Sequence, residues 1–218
     1  SYVLTLIISL IICSFLFFVG RKSPKRIYFI EQLIVIILVY LLISFLISIP
    51  FYLGNYQVTL LNSFFESVSG ITGTGFSIFE NIKYLDPTLI LWRSSSQWIG
   101  GLYFLFFLIL IFSNKQFKYK MNDLTYSGDG SINSENNIKS LLSKIFIFYA
   151  LLSFIIFLSL NIADIRMFNS LNLSMTLISA GGFLPTNSLE NIINTNLKKI
   201  IFILSLIFSI LNFFLILN

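Results

Sequence analysis

Two glycine-containing segments carry the residue types that could bind a dehydrated monovalent cation. They are Thr72-Gly73-Thr74-Gly75-Phe76 and Ser179-Ala180-Gly181-Gly182-Phe183. Such a cation needs several oxygen ligands in place of its water shell, and successive backbone carbonyls of an extended loop can supply them. Aiming those carbonyls at one axis requires unusual backbone angles, which glycine adopts at little steric cost. The alternative is that both segments are ordinary glycine-rich turns between helices.

The two segments occupy matching positions in an internal repeat. Residues 60–76 align with residues 167–183 without a gap, so that Gly75 meets Gly182. Each copy lies between two apolar stretches, and both copies would enter the membrane from the same side. The repeats are therefore predicted to be parallel, about an axis along the membrane normal. Internal repeats of transporters place the substrate site at their interface.

The composition predicts a membrane protein. Hydrophobic residues make up 56% of the 218 residues and charged residues only 11%, against about 25% charged in soluble domains; the mean hydropathy is +0.90. A single cysteine, Cys13, and the lack of histidine exclude a disulfide framework, cysteine or histidine metal sites and imidazole catalysis. Because the apolar stretches also lack a nucleophile–base pair, we predict that the protein is not an enzyme.

Five apolar stretches predict membrane spans, which need about 20 helical residues each. They are 2–19, 33–49, 88–112, 145–160 and 200–217. Cations cluster at 21–26 and within or beside the polar stretch 114–143, which the positive-inside rule places in the cytoplasm. Membrane lipid is therefore an expected partner. Nucleic acid is not, since no separate basic domain is present.

The predicted fold is an all-α multi-pass membrane protein with two repeats of span, re-entrant loop and span around a pore axis, after one extra span. The apolar pieces 60–79 and 168–183 break at glycines and contain Ser, Thr or Asn throughout, so each is predicted to be re-entrant rather than a span. The predicted organisation is a leading span and basic loop (1–26), pore repeat 1 (27–113), a cytoplasmic linker (114–143) and pore repeat 2 (144–218).

Two motifs around the first glycine segment resemble a known family. Phe64-Phe-Glu-Ser-Val-Ser-Gly-Ile-Thr-Gly-Thr-Gly75, followed by Trp92-Arg-Ser-Ser-Ser-Gln-Trp-Ile-Gly-Gly101, is similar to the first pore unit of the Trk/Ktr/HKT potassium transporters. Ile178-Ser-Ala-Gly-Gly-Phe183 resembles the second unit. In that family four units surround one pore, so the resemblance implies that this chain is the N-terminal half, with two of four repeats. A two-repeat subunit that dimerises is the alternative.

The resemblance implies a selectivity filter in which Gly75 and Gly182 are the key glycines. The preceding carbonyl ligands would belong to Thr72, Gly73, Thr74, Ser179, Ala180 and Gly181. Gly73 stands where the family often has threonine, and Phe76 follows the key glycine where a small residue is usual. Either departure is expected to loosen the filter, so the preference for K⁺ over Na⁺ stays open. Phe76 and its counterpart Phe183 are also predicted to be residues that support the filter.

The implied activity is K⁺ uptake across the cytoplasmic (inner) membrane, driven by the membrane potential. K⁺, with Na⁺ as a second candidate, would be bound by backbone carbonyls, and no organic cofactor is expected. The resemblance also implies a homodimer of the full-length protein and a cytosolic nucleotide-binding gating subunit. The alternatives are a weakly selective K⁺/Na⁺ channel or symporter and a non-conducting membrane scaffold.

Two ionisable residues and an amide are predicted to brace the filter. A carboxylate at Glu66, in a re-entrant helix, is costly unless it is paired. We therefore predict that Glu66 is buried behind the loop and satisfied by Arg93, Gln97 or backbone amides, without touching the ion. The alternative is that both charges lie in water at the outer interface. Gly100-Gly101 is predicted to permit close helix contact.

Overall fold

The structure, a computed structural model, describes residues 1–21, 28–54, 56–112 and 135–210. Within these ranges the regular elements are helices. The elements are α1 (Tyr2–Gly20), α2 (Phe29–Tyr52), α3 (Leu60–Ile71), α4 (Pro87–Phe112), α5 (Glu135–Ile162), α6 (Met167–Ile178) and α7 (Asn196–Ile210), with 3-10 turns at Ile82–Tyr84 and Leu189–Asn191.

Four helices among the described residues are long and apolar enough to cross a membrane. They are Tyr2–Gly20, Phe29–Tyr52, Pro87–Ile111 and Lys139–Ile162. These helices match the first four predicted spans, the third of them to within one residue at its end, which confirms an all-helical multi-pass membrane protein. The fifth predicted span is described only as far as Ile210. Residues 22–27 and 113–134, which hold most of the two basic stretches, lie outside the described residues.

The long helix α5 begins at Glu135, inside the stretch predicted as linker. Hydropathy marks where a segment enters the hydrocarbon, whereas a helix can continue through polar residues beyond it. The apolar pattern therefore placed the start of the span but not the start of the helix.

The short helices α3 and α6 have 12 residues each, a length of about 18 Å. This is less than the roughly 30 Å of the hydrocarbon core. Both helices carry hydroxyl side chains that donate to carbonyls of their own turns, as Ser63 does to Thr59 and Ser174 does to Leu171. These bonds pair the hydroxyl groups within the helices, whereas Asn172 Oδ1 of α6 is buried without a hydrogen-bond partner in the described residues.

The two halves of the chain follow the same order of elements. Helix α6 begins 107 residues after α3 (167 against 60), and the second 3-10 turn begins 107 residues after the first (189 against 82). In the first half α3 packs against α2 and α4; in the second half α6 packs against α5 and α7. Helix α4 also packs against α6, so it joins the two halves.

Two glycines of α4 permit this central position. A Cβ atom on Gly100 would overlap the backbone carbonyl of Ile71, where α3 ends. A Cβ atom on Gly101 would lie 2.7 Å from the Tyr149 hydroxyl and 2.9 Å from the Cβ of Ser179, where α6 ends. The predicted close helix contact at Gly100-Gly101 is therefore confirmed, and α4 approaches the C-terminal ends of both short helices.

We expect Ser153→Ala to loosen the contact between α4 and α5. The Trp98 indole N–H donates to the Ser153 hydroxyl at 2.9 Å, and the substitution leaves that donor unpaired. An interhelical hydrogen bond in a membrane contributes about 1 kcal/mol, so the thermal midpoint in detergent should fall by about 2–4 °C. Ser159→Ala is the control, because that hydroxyl donates within its own helix, to the Ile156 carbonyl. Equal midpoints for the two variants would contradict the assignment.

Candidate functional site

The two glycine segments leave α3 and α6 with the same backbone conformation. Gly73 and its counterpart Ala180 have φ of 68° and 53°, and Gly75 and Gly182 have φ of 80° and 82°. Ala180 is notable because alanine rarely adopts this left-handed region. Two matched positions in each segment therefore share a conformation that most residues avoid.

The hydrogen bonds that turn the chain out of each short helix also correspond. The Gly73 amide donates to the Gly70 carbonyl at 3.1 Å, and the Ala180 amide donates to the Leu177 carbonyl at 3.0 Å. One residue later, matching amide donors again reach back to the last turn of each helix; these are Thr74 to Ser69 at 3.0 Å and Gly181 to Thr176 at 2.8 Å. The last helical turn therefore fixes the path of each segment.

The two segments lie against each other through their backbones. A Cβ atom on Gly75 would overlap the carbonyl oxygen of Gly181, and a Cβ atom on Gly73 would lie 3.4 Å from the carbonyl oxygen of Ser179. The absence of a side chain at Gly75 is therefore what allows this approach. Residues 106 apart in sequence thus form one backbone-lined site.

Side chains differ in exposure around this site. The hydroxyls of Thr72 and Thr74 are exposed and lie 2.7 Å apart, within hydrogen-bond distance. Phe76 is 69% exposed, whereas its counterpart Phe183 is 2% exposed. The position after the key glycine is therefore open in the first segment and packed in the second.

Glu66 and Arg93 form a buried ion pair behind the first segment. Arg93 Nε donates to Glu66 Oε1 at 2.8 Å, and the two side chains are 2% and 0% exposed. The second carboxylate oxygen, Oε2, accepts from the Ile78 amide at 2.9 Å. Ser77 completes the cluster: its hydroxyl donates to Glu66 Oε1 at 3.0 Å and accepts from Arg93 Nη2 at 2.8 Å. The carboxylate thereby ties α3 and α4 to the chain leaving the first segment.

The guanidinium of Arg93 also reaches the second segment. Its Cζ atom lies 4.3 Å from the ring centre of Phe183 and 5.7 Å from that of Phe79. Cations favour such positions over aromatic faces. The contacts with the two aromatic rings matter because the Nη1 atom of Arg93 is buried without a hydrogen-bond partner in the described residues.

Gln97 lies behind the second segment rather than beside Glu66. Its Nε2 donates to the Gly181 carbonyl at 2.6 Å, and its Oε1 accepts from the Phe183 amide at 3.1 Å. A Cβ atom on Gly181 would overlap the Gln97 amide. Of the partners expected for Glu66, the structure thus provides Arg93 and a backbone amide, while Gln97 contacts the other loop.

We expect Gln97→Glu to destabilise the second segment. The carboxylate keeps the shape of the side chain but cannot donate to the Gly181 carbonyl unless it is protonated. A buried unsatisfied acceptor costs about 2 kcal/mol, which lowers the thermal midpoint by about 4–8 °C. Gln57→Glu makes the same chemical change at an exposed position and should leave the midpoint nearly unchanged. A midpoint for Gln97→Glu as high as that control would contradict the role of the amide.

Sequence reasoning missed the parts of this cluster that follow the first glycine segment. Ser77 and Phe79 contact the ion pair, yet neither residue type signals such a role in sequence. A cavity of about 270 Å³ beside the two segments was also missed; it is lined by Tyr40, Ile71, Thr72, Gly73, Gly100, Gly101, Phe104, Ser179 and Ala180. Six of its lining residues were singled out from the sequence, four as filter residues and Gly100-Gly101 as a site of close helix contact, but a cavity between them was not predicted.

The fold and the site define a multi-pass helical membrane protein in which two glycine segments meet beside a buried ion pair. No family profile matches the chain. Curated relatives do. The chain is 28% identical over 170 residues to an uncharacterized cation transporter of Methanocaldococcus jannaschii, a match covering 76% of this chain and 34% of the relative.

Potassium uptake proteins of the Trk system are also similar. TrkI of Halomonas elongata is 48% identical over 60 residues, which cover 28% of this chain and 12% of the relative. TrkH of Escherichia coli K12 is 26% identical over 103 residues, which cover 47% of this chain and 21% of the relative. The recognition made from the motifs is confirmed: this chain is related to the Trk potassium uptake proteins, and it spans about a third or less of the length of these relatives.

The relatives are named as transporters and uptake proteins, not as enzymes, which agrees with the prediction that this chain is not one.

Proposed function

We propose that this chain supplies two units of a K⁺ uptake pore, each made of a span, a re-entrant loop and a span. The single observation that carries the proposal is the matched backbone of the two glycine segments, which share left-handed conformations at both corresponding positions and lie in contact. Ordinary turns have no reason to share both features. The carbonyls of 72–75 and 179–182 are the proposed ligands of the ion.

The short helices support the re-entrant interpretation. Each is too short to cross the hydrocarbon, and each ends at its glycine segment. The C-terminal end of a helix carries a partial negative charge, so both α3 and α6 favour a cation at the segments. Each then continues through a non-helical stretch to a 3-10 turn and the next long helix, which is the path of a chain that returns to the side from which it entered.

In the proposed activity K⁺ is the substrate and the membrane potential drives its entry. An inside-negative potential contributes about 2.3 kcal/mol per charge for each 100 mV, so no organic cofactor is needed for uptake. The setting is the cytoplasmic membrane. The proposed partners are a second copy of the full-length protein and a cytosolic nucleotide-binding subunit that gates the pore.

Weak selectivity between K⁺ and Na⁺ is the second candidate, and two residues favour it. Gly73 adds backbone freedom to the first segment, and the exposed Phe76 lacks the packing that holds Phe183. Both features would let the first segment adapt to a smaller ion. The functional test must therefore measure competition by both cations.

Rubidium uptake by cells that lack their own K⁺ transporters tests the proposal. The cells express the protein as its gene encodes it, with membrane insertion checked by fractionation. Uptake that K⁺ suppresses at much lower concentration than Na⁺ supports a K⁺ pore, whereas equal suppression supports the weakly selective alternative. No uptake by inserted protein, with the cytosolic subunit co-expressed, would contradict both and favour a scaffold.

A further inference from the structure

A cavity of about 450 Å³ lies away from the glycine segments, at the end of the molecule where α4 and α7 begin. Three stretches of the chain line it: residues 82–90 before and at the start of α4, residues 164–169 between α5 and α6, and residues 185–198 leading into α7. Both halves of the chain therefore contribute to this cavity.

Three basic residues far apart in sequence line this cavity: Lys83, Arg166 and Lys198. Lys198 is half-buried, and the other two are exposed. Asp164 is the one acidic residue of the lining, so three positive charges and one negative charge leave a net charge of +2. The structure gives an ion pair to none of the three cations within the described ranges.

The location of these cations is unusual for a membrane protein. The positive-inside rule favours Lys and Arg in the cytoplasmic loops, here 21–26 and 114–143. Five cations lie outside those loops and their borders: Lys83, Arg93, Arg166, Lys198 and Lys199. Arg93 is paired with Glu66, and three of the remaining four line this one cavity. Their convergence at the end opposite the predicted cytoplasmic loops needs a physical reason.

The cavity lies beside the ends of two candidate membrane spans, where the headgroups of surrounding lipids are expected. The candidate spans next to it begin at Pro87 and end at Ile162, and the lining residues Lys83, Asp164 and Arg166 lie just beyond these ends. Arg166 also precedes α6, whose first turn has no side-chain cap; in the first half of the chain, by contrast, Thr59 caps α3. Free amides at a helix start favour an anion, which adds to the charge of the three side chains.

We propose that this cavity binds a phosphate group, and that the headgroup of an anionic phospholipid supplies it. The two lysines and Arg166 provide charge-assisted donors for phosphate oxygens. Asn169, Asn191 and Asn194 add amide groups to the lining that can bind the hydroxyls of a glycerol headgroup. A lipid held there would bridge the start of α4 to α6 and α7, across the two halves. The proposal does not depend on the transport activity.

The test is calorimetric titration of the purified protein, as its gene encodes it, in non-ionic detergent. The probes are dihexanoyl phosphatidylglycerol, dihexanoyl phosphatidylcholine and inorganic phosphate. We expect phosphatidylglycerol to bind at least tenfold more tightly than phosphatidylcholine. Each cation near an anionic lipid contributes about a fivefold change in affinity, so Lys198→Gln should weaken binding about fivefold and neutralising all three cations should weaken it about 100-fold.

Lys199→Gln is the matched control, because Lys199 neighbours Lys198 in sequence but lines a different cavity. Lys198→Arg should keep most of the affinity, and unchanged thermal midpoints show that the variants are folded. If inorganic phosphate binds to the wild type but not to the variant in which all three cations are neutralised, the site is supported, with free phosphate rather than a lipid headgroup as its ligand. Equal affinity for the two lipids, or no loss in the triple variant, would overturn the proposal.

Discussion

Arg93→Met should produce the largest loss of stability of any single substitution at the site. The change leaves the Glu66 carboxylate fully buried, with only the Ile78 amide and the Ser77 hydroxyl as partners. Removing one partner of a buried ion pair costs about 3–5 kcal/mol. We expect little folded protein on size-exclusion chromatography of detergent extracts, and a thermal midpoint at least about 6 °C lower for what remains.

A second substitution separates the charge from the packing. In Glu66→Gln/Arg93→Met no charge is left buried, so the double variant should recover part of the stability that Arg93→Met loses. Glu80→Gln removes an exposed carboxylate and should have no measurable effect. Two results would show that the ion pair does not hold the first segment in place. One is an Arg93→Met variant as stable as the wild type, and the other is a double variant less stable than Arg93→Met.

The spacing of Arg93 and Gln97 shows how far the sequence could lead. Residues four apart lie on one face of a helix, so their joint approach to the region of the glycine segments could be predicted. Their separate targets could not. One helical turn along α4, the hydrogen-bond partner changes from Glu66 of α3 to Gly181 of the second segment, because α4 packs against both α3 and α6. Only the three-dimensional arrangement assigns Arg93 to Glu66 and Gln97 to Gly181.

The glycine segments were predictable for a different reason. Backbone conformation is a local property, and a glycine at a fixed distance after a short polar helix is a local signal. Ala180 carried no such signal, yet it has the same positive φ as Gly73; its conformation follows from the bonds of the preceding helical turn. The cavity lined by Lys83, Arg166 and Lys198 could not be predicted from the sequence, since these three residues come together only when the two halves pack.

Gly75→Ser is expected to weaken discrimination against Na⁺ in the complete protein, if the proposed function holds. A side chain at φ of 80° is strained, by about 1–2 kcal/mol, and its Cβ atom would overlap the Gly181 carbonyl oxygen. The two segments must therefore move apart. Carbonyls that ligate K⁺ at their present separation would then compensate less well for its lost water shell. The measurement is the ratio of Na⁺ to K⁺ concentrations that half-suppress rubidium uptake, which should fall about tenfold, equivalent to about 1.4 kcal/mol.

Gly182→Ser gives the comparison that separates overlap from strain. Gly182 has nearly the same φ, 82°, but the nearest atom to its Cβ position is the Cα of Gly75, at 4.0 Å. The strain is thus similar while the overlap is missing, and the fall in the ratio should be clearly smaller than for Gly75→Ser. Gly20→Ser, in α1 with open space around it, should leave the ratio unchanged. An unchanged ratio in Gly75→Ser would remove Gly75 from the filter, because contact between the two segments cannot set selectivity if separating them has no effect.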